Sequence, residues 1–116
     1  EWAALDEASD RAFDPFLQLV IELHHWGSDA EQFCRVYEKL SRHFVLVHGH
    51  ANNHAGLLRA GAMNLPEVIE LTWVAKDQMA SMKRGFWFRR RSLDAPNNKF
   101  RPELPGNYWP LQMASD

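Results

Sequence analysis

The chain has 116 residues, 46% of them hydrophobic and 24% charged, with a formal net charge of −2. That length holds at most one domain, and the balance of apolar and charged residues excludes an intrinsically disordered chain. One cysteine, Cys34, excludes an internal disulfide, and no apolar run approaches the roughly 18 residues of a membrane span.

With no secretory pattern visible in these residues, the expectation is a soluble, intracellular protein in a reducing compartment. Charge is unevenly spread. Residues 1–40 hold nine acids against three Lys/Arg, and residues 76–101 hold eight Lys/Arg against two acids. The second segment contains "KRGFWFRRR", whose cations and rings could meet phosphates and bases. A solvated helix end and loop is the preferred reading there, and a nucleic-acid partner is not expected.

In chain order, "EWAALDEASDRAF" carries apolar residues at close to helical spacing and is expected to be a short helix, stopped at Asp14-Pro15. "FLQLVIELHH" is nearly continuous in apolarity and reads as a buried strand. "GSDAEQFCRVYEKLSR" follows, with Ser28 or Asp29 as cap and Phe33, Val36, Tyr37 and Leu40 on one helical face. "HFVLVHGH" is the second strand and "PEVIELTWVAK" the third. The intervening "ANNHAGLLRAGAMNLP" reads as a loop with at most one helical turn. The tail from residue 92, with four prolines, is expected to run irregularly.

The order helix, strand, helix, strand, strand predicts an α/β fold. The helix between the first two strands predicts a parallel crossover. The third strand could run either way.

Alternation along a strand puts Val20, Glu22 and His24 on one face of the first strand. It likewise groups Leu46, His48 and His50 on the second, and Val68, Glu70 and Thr72 on the third. Parallel first and second strands would bring the histidines to their carboxyl ends, the edge where open α/β sheets bind ligands. A metal site is one reading of His48, His50 and a nearby carboxylate. Acid–base chemistry or substrate orientation by a histidine beside a carboxylate is a second. A satisfied Glu/His network is the third. The network is preferred for Glu22 and Glu70, and ligand contact for His48, His50, Asn52 and Asn53. His25, His43 and His54 are taken as incidental.

"FDPFLQLVIELHH", "HFVLVHGHANNHAG", "LPEVIELTWV" and "LDAPNN", in that order over residues 1–100, resemble the carboxyl-terminal half of FkbM-like methyltransferases. The resemblance implies part of a Rossmann-like sheet and S-adenosylmethionine as cofactor. It also implies an antiparallel last strand slotted between its two predecessors, with Glu70 between Glu22 and His48. His48 or His24 would then be the general base or orienter, and His50, Asn52 and Asn53 would line the pocket of a small-molecule or sugar acceptor.

Members of that family carry D-x-E-G just before a Glu-Trp pair, and this chain opens "EWAAL". The resemblance therefore implies a partial domain over residues 1–116. The glycine-rich turn that holds the cofactor would lie in an amino-terminal half, or in neighbouring subunits, and no G-x-G-x-x-G occurs among these residues. Two other functions compete: a non-catalytic relic of such an enzyme serving as a subunit of a larger assembly, and a metal-dependent hydrolase using His48, His50 and Glu22.

Overall fold

The computed structural model describes residues 1–25, 29–60, 63–81, 95–102 and 104. The basic aromatic segment and most of the proline-rich tail lie outside these, as does Ser28.

Helix α1, Trp2–Glu7, is followed by a 3-10 turn, Asp10–Phe13, so the single expected helix is broken in two. Strand β1 spans Gln18–His24, α2 Ala30–His43 and β2 Phe44–Ala51. Asp29 is the cap of α2: its Oδ1 accepts the Gln32 N–H at 2.9 Å, satisfying one of the first-turn donors. Strand β5, Val68–Ala75, ends one residue earlier than the apolar pattern, because a short helix α3, Lys76–Ser81, begins at Lys76.

The expected loop between the second and third strands is a correction. It contains a hairpin, β3 (Leu57–Ala60) and β4 (Met63–Pro66), whose base is closed by Glu67 N–H donating to the Gly56 carbonyl. Strands of four residues are too short to display a two-residue period. They form because they pair with each other, not because either has a strong β pattern.

The main sheet has the order β1-β5-β2, with β5 antiparallel to both neighbours. β1 and β2 therefore run parallel, but they are not adjacent: β5 stands between them, where the resemblance put it. The fold is mixed α/β with antiparallel sheets.

One face of the main sheet supplies Leu23, Leu46, Ile69, Leu71, Trp73 and Ala75 to the core, against Phe33, Val36 and Leu40 of α2 and the pair Phe13 and Phe44. Tyr37 meets Trp73 edge-on with centroids 5.3 Å apart, and Phe13 meets Phe44 at 6.1 Å and 90°. Trp73 is 1% exposed, and its indole N–H is, among the described residues, a buried donor with no partner. That orphan costs about 1–3 kcal/mol and is outweighed by what the ring fills.

Polar contacts tie α1 and the 3-10 turn to α2. Lys39 Nζ donates to the carbonyls of Leu5, Asp6 and Ala8, covering the carboxyl end of α1. Arg35 grips Asp6 through Nε and Nη2, and Arg42 reaches Asp10 at 2.9 Å. The hydrogen bond from Arg35 holds the Asp6 carboxyl below its ordinary 3.8, and Arg42 does the same for Asp10.

Trp73→Ala should therefore lower unfolding free energy by about 3–5 kcal/mol in urea titration. Trp73→Phe, which also removes the orphan donor, should cost clearly less. Because the folded values of Asp6 and Asp10 are depressed, their contribution is present above the ordinary carboxylate value and is lost as pH falls through the folded values. NMR signals of α1 should thus stay constant from pH 7 to pH 5 and move only in the acid range. Movement near neutrality would overturn this attribution to the two carboxylates.

Candidate functional site

The second face of the main sheet carries the polar side chains, and a β-bulge decides which residues join it. Leu46 pairs with Trp73 and His48 with Thr72, so Val47 is an extra residue in β2. Without it, Leu46 and His48 would share a face. With it, Leu46 turns into the core at 6% exposure while His48 and His50 turn to the opposite side. The expectation that Leu46 lies with His48 and His50 is corrected by this one inserted residue.

Register then sets three rows across β1, β5 and β2 or its extension. Val20, Thr72 and His48 form one row, and Glu22, Glu70 and His50 the next. His24 and Val68 form the third, which Asn52 extends by donating its N–H to the Val68 carbonyl at 3.0 Å. Alternation by itself could not align the rows. The position of β5 does.

Glu22 and Glu70 are direct cross-strand partners. The Leu17 carbonyl accepts the Ala75 N–H and the His25 N–H donates to the Glu67 carbonyl, so the pairs between them alternate, and Glu22–Glu70 falls in a non-hydrogen-bonded position. In such a pair the Cβ atoms stand about 4.5–5.5 Å apart, and like charges there repel. Each carboxylate has an asparagine amide and a histidine beside it. Asn52 Nδ2 donates to Glu22 Oε2 at 2.9 Å, and His24 Nε2 lies 3.1 Å from Glu22 Oε1. Asn97 Nδ2 donates to Glu70 Oε1 at 2.7 Å, and His50 Nδ1 lies 3.7 Å from Glu70 Oε2. The result is two Asn–Glu–His units side by side on a half-exposed face.

The edge of β1 away from β5, which pairs with no described strand, borders this site. Gln18, Val20, Glu22 and His24 turn their backbone groups away from β5, by the same alternation. At His24 the place of a neighbouring strand is taken by side chains: the His24 N–H donates to Glu1 Oε1 at 2.7 Å, and the Trp2 indole donates to the His24 carbonyl at 2.7 Å. The hydrogen bond from that N–H keeps the Glu1 carboxyl below its ordinary range. His24 Nδ1 lies 3.2 Å from the same Glu1 oxygen, so the ring stands between two carboxylates.

Of the residues expected to act, Glu22, Glu70, His50 and Asn52 are brought together, and His24 joins them through Glu22. His48 stands one row away. Counting about 3.4 Å per residue and 4.8 Å per strand, His24 and His48 are roughly 16 Å apart along the sheet, so they do not converge on one point.

Asn53 is placed otherwise than a pocket-lining residue. It is 2% exposed, and its amide is spent on the tail segment. Nδ2 faces the carbonyls of Asn98, Arg101 and Pro102, and Oδ1 accepts the Asn98 N–H at 2.7 Å. Asn97 was missed in reading the site from sequence. Its signal was the "LDAPNN" motif, but nothing local tied that segment to Glu70, 27 residues earlier.

His25 and Glu67 form a separate structural contact at the end of β1. His25 adopts φ 51°, unusual for a residue with a Cβ, and Glu67 holds it through both backbone and side chain. His43 packs against Phe13 and reaches Asp10. Among the described residues, no group of three or more His, Cys, Asp or Glu side chains is arranged to hold a metal ion, and no helix is long and apolar enough to cross a membrane.

Comparison with known protein families, curated proteins and solved structures returned no match.

If the Glu22–Glu70 pair is held together against repulsion, Glu70→Gln should raise stability by a few tenths to about 1 kcal/mol. The amide keeps an oxygen for Asn97 while removing the charge. Urea titration checks the sign, and a loss of stability would mean that the His50 contact outweighs the repulsion.

Proposed function

We propose that the chain is the acceptor-binding, carboxyl-terminal portion of an S-adenosylmethionine-dependent methyltransferase of the FkbM-like type, acting on an oxygen or nitrogen of a small molecule or sugar. The observation that carries this reading is the Glu22–Glu70–His50 row. It is a half-exposed line of hydrogen-bond acceptors and an imidazole, held in place although like charges face each other. Two carboxylates and an imidazole on one accessible row offer what binding a polar group and moving one proton require. The strand order, with β5 antiparallel between parallel β1 and β2, is compatible with part of a Rossmann-like sheet.

These residues do not themselves fit the cofactor. No G-x-G-x-x-G, the turn that cradles such a cofactor, occurs among these residues. The cofactor is therefore assigned to a partner half, and no step through it is derived. This chain's share is to orient the acceptor and take one proton. Glu22 and Glu70 would accept hydrogen bonds from hydroxyl or amine groups, and His50 or His48 would receive the proton.

A second reading, a non-catalytic relic within a larger assembly, is favoured by a different feature. Phe16, Leu17 and Val20, at 48%, 61% and 68% exposure, lie just before and on β1, which has no second strand partner among the described residues. A bare apolar edge is where another strand adds. No observation favours the metal-dependent hydrolase.

Labelled methyl transfer by the chain together with its cofactor-binding half separates the two readings. Under the enzyme reading, His50→Ala and Glu70→Gln should each cut turnover by roughly 100-fold or more, the scale of a lost general base or its partner. Undiminished turnover in both would remove the row from the mechanism. An assembled form that binds no S-adenosylmethionine would favour the relic.

A further inference from the structure

The described tail segment, residues 95–102, lies against the end of the main sheet, and Asn98 is its hub. The Asn98 carbonyl accepts both Asn53 Nδ2 and the Arg101 N–H, and its Oδ1 accepts the Phe100 N–H at 3.0 Å. Arg101 fastens the far side by donating to the His54 carbonyl at 2.8 Å. Asn97, exposed and immediately before this hub, reaches one oxygen of Glu70.

We infer that Asn53 is a positioning residue for the Glu70–His50 pair. By docking residues 98–102 it aims Asn97 at Oε1 of Glu70 and leaves Oε2 facing His50. The physical basis is the difference in burial. An exposed asparagine on an unanchored segment would have to order its own backbone to make one hydrogen bond, and that entropic cost exceeds the bond's net worth. A buried amide with partners on both its oxygen and its nitrogen removes that cost in advance. The Asn53 amide is hydrogen-bonded to that segment. It acts only through the segment it holds.

A polar residue following a strand end thus governs the site from beneath, and the proline-bearing segment is part of the site and not surface padding. Any consequence for methyl transfer rests on the function proposed above. The inference itself concerns only the carboxylate and the imidazole, so its test reads His50 directly and can fail independently of that function.

The experiment records the ring-nitrogen signals of His50 by long-range proton–nitrogen NMR, with amide exchange of Asn98 alongside. Asn97→Ala, which removes no buried group, should displace the His50 signals while the Asn98 amide stays protected. Asn97→Gln, which restores an amide, should bring them part of the way back. Asn53→Asp should displace the same signals in the same direction and speed Asn98 exchange about tenfold or more, since a carboxylate cannot donate to the three carbonyls. Added to Asn97→Ala, it should displace His50 no further, because both act through one contact. A merely structural Asn53 would give an additive effect, and that result overturns the inference. So does an unmoved His50 in Asn97→Ala, whatever the Asn53 variants do. Where Asn53→Asp fails to fold, Asn98→Ala loosens the segment and leaves Asn53 in place. It too should move His50, and no movement again overturns the inference.

Discussion

The arrangement depends on β5 lying antiparallel between β1 and β2. A strand with a partner on both sides has its backbone groups satisfied and its side chains committed to two faces at once. In β5 the odd positions, Ile69, Leu71 and Trp73, build the core with α2, and the even positions, Glu70 and Thr72, stand on the opposite face. Because both neighbours take their register from it, their polar side chains are aligned in rows. A carboxylate on an edge strand would face one neighbour. Glu70 faces Glu22 on one side and His50 on the other.

That alignment has a cost, and the molecule offsets it locally. Two carboxylates opposite each other in a half-exposed position repel, and each is stabilised by an amide from a segment distant in sequence: Asn52 from the end of β2, Asn97 from the tail. Neither amide is carried by the strands it supports. The face can therefore be tuned by the segments around it, without disturbing the core on the other side of the sheet. The bulge at Val47 has the same character. One residue gives Leu46 to the core and both histidines to the site.

The edge of β1 is treated unevenly. At His24 the exposed backbone pair is covered by Glu1 and Trp2, and the same contact fixes the imidazole between two carboxylates. Farther back, at Val20 and the approaching Phe16 and Leu17, apolar side chains remain in solvent.

Much of the local structure was legible from the residues. Asp29 and the spacing of Phe33, Val36 and Leu40 specify a capped amphipathic helix, and the Val/Ile/Leu runs specify three strands, since these depend on contacts within a few residues. The polar character of Glu22, Glu70, His48 and His50 was legible for the same reason. What only the tertiary structure decided was every relation between distant segments. The bulge reverses the facing of Leu46 relative to the histidines. The hairpin over 57–66 exists by mutual pairing. Asn53 turned out to be a buried anchor, not a pocket residue, because its partners lie more than 40 residues away. Side-chain type is written at each position, but register, burial and partner arise only when separated stretches meet, and no local pattern carries that information.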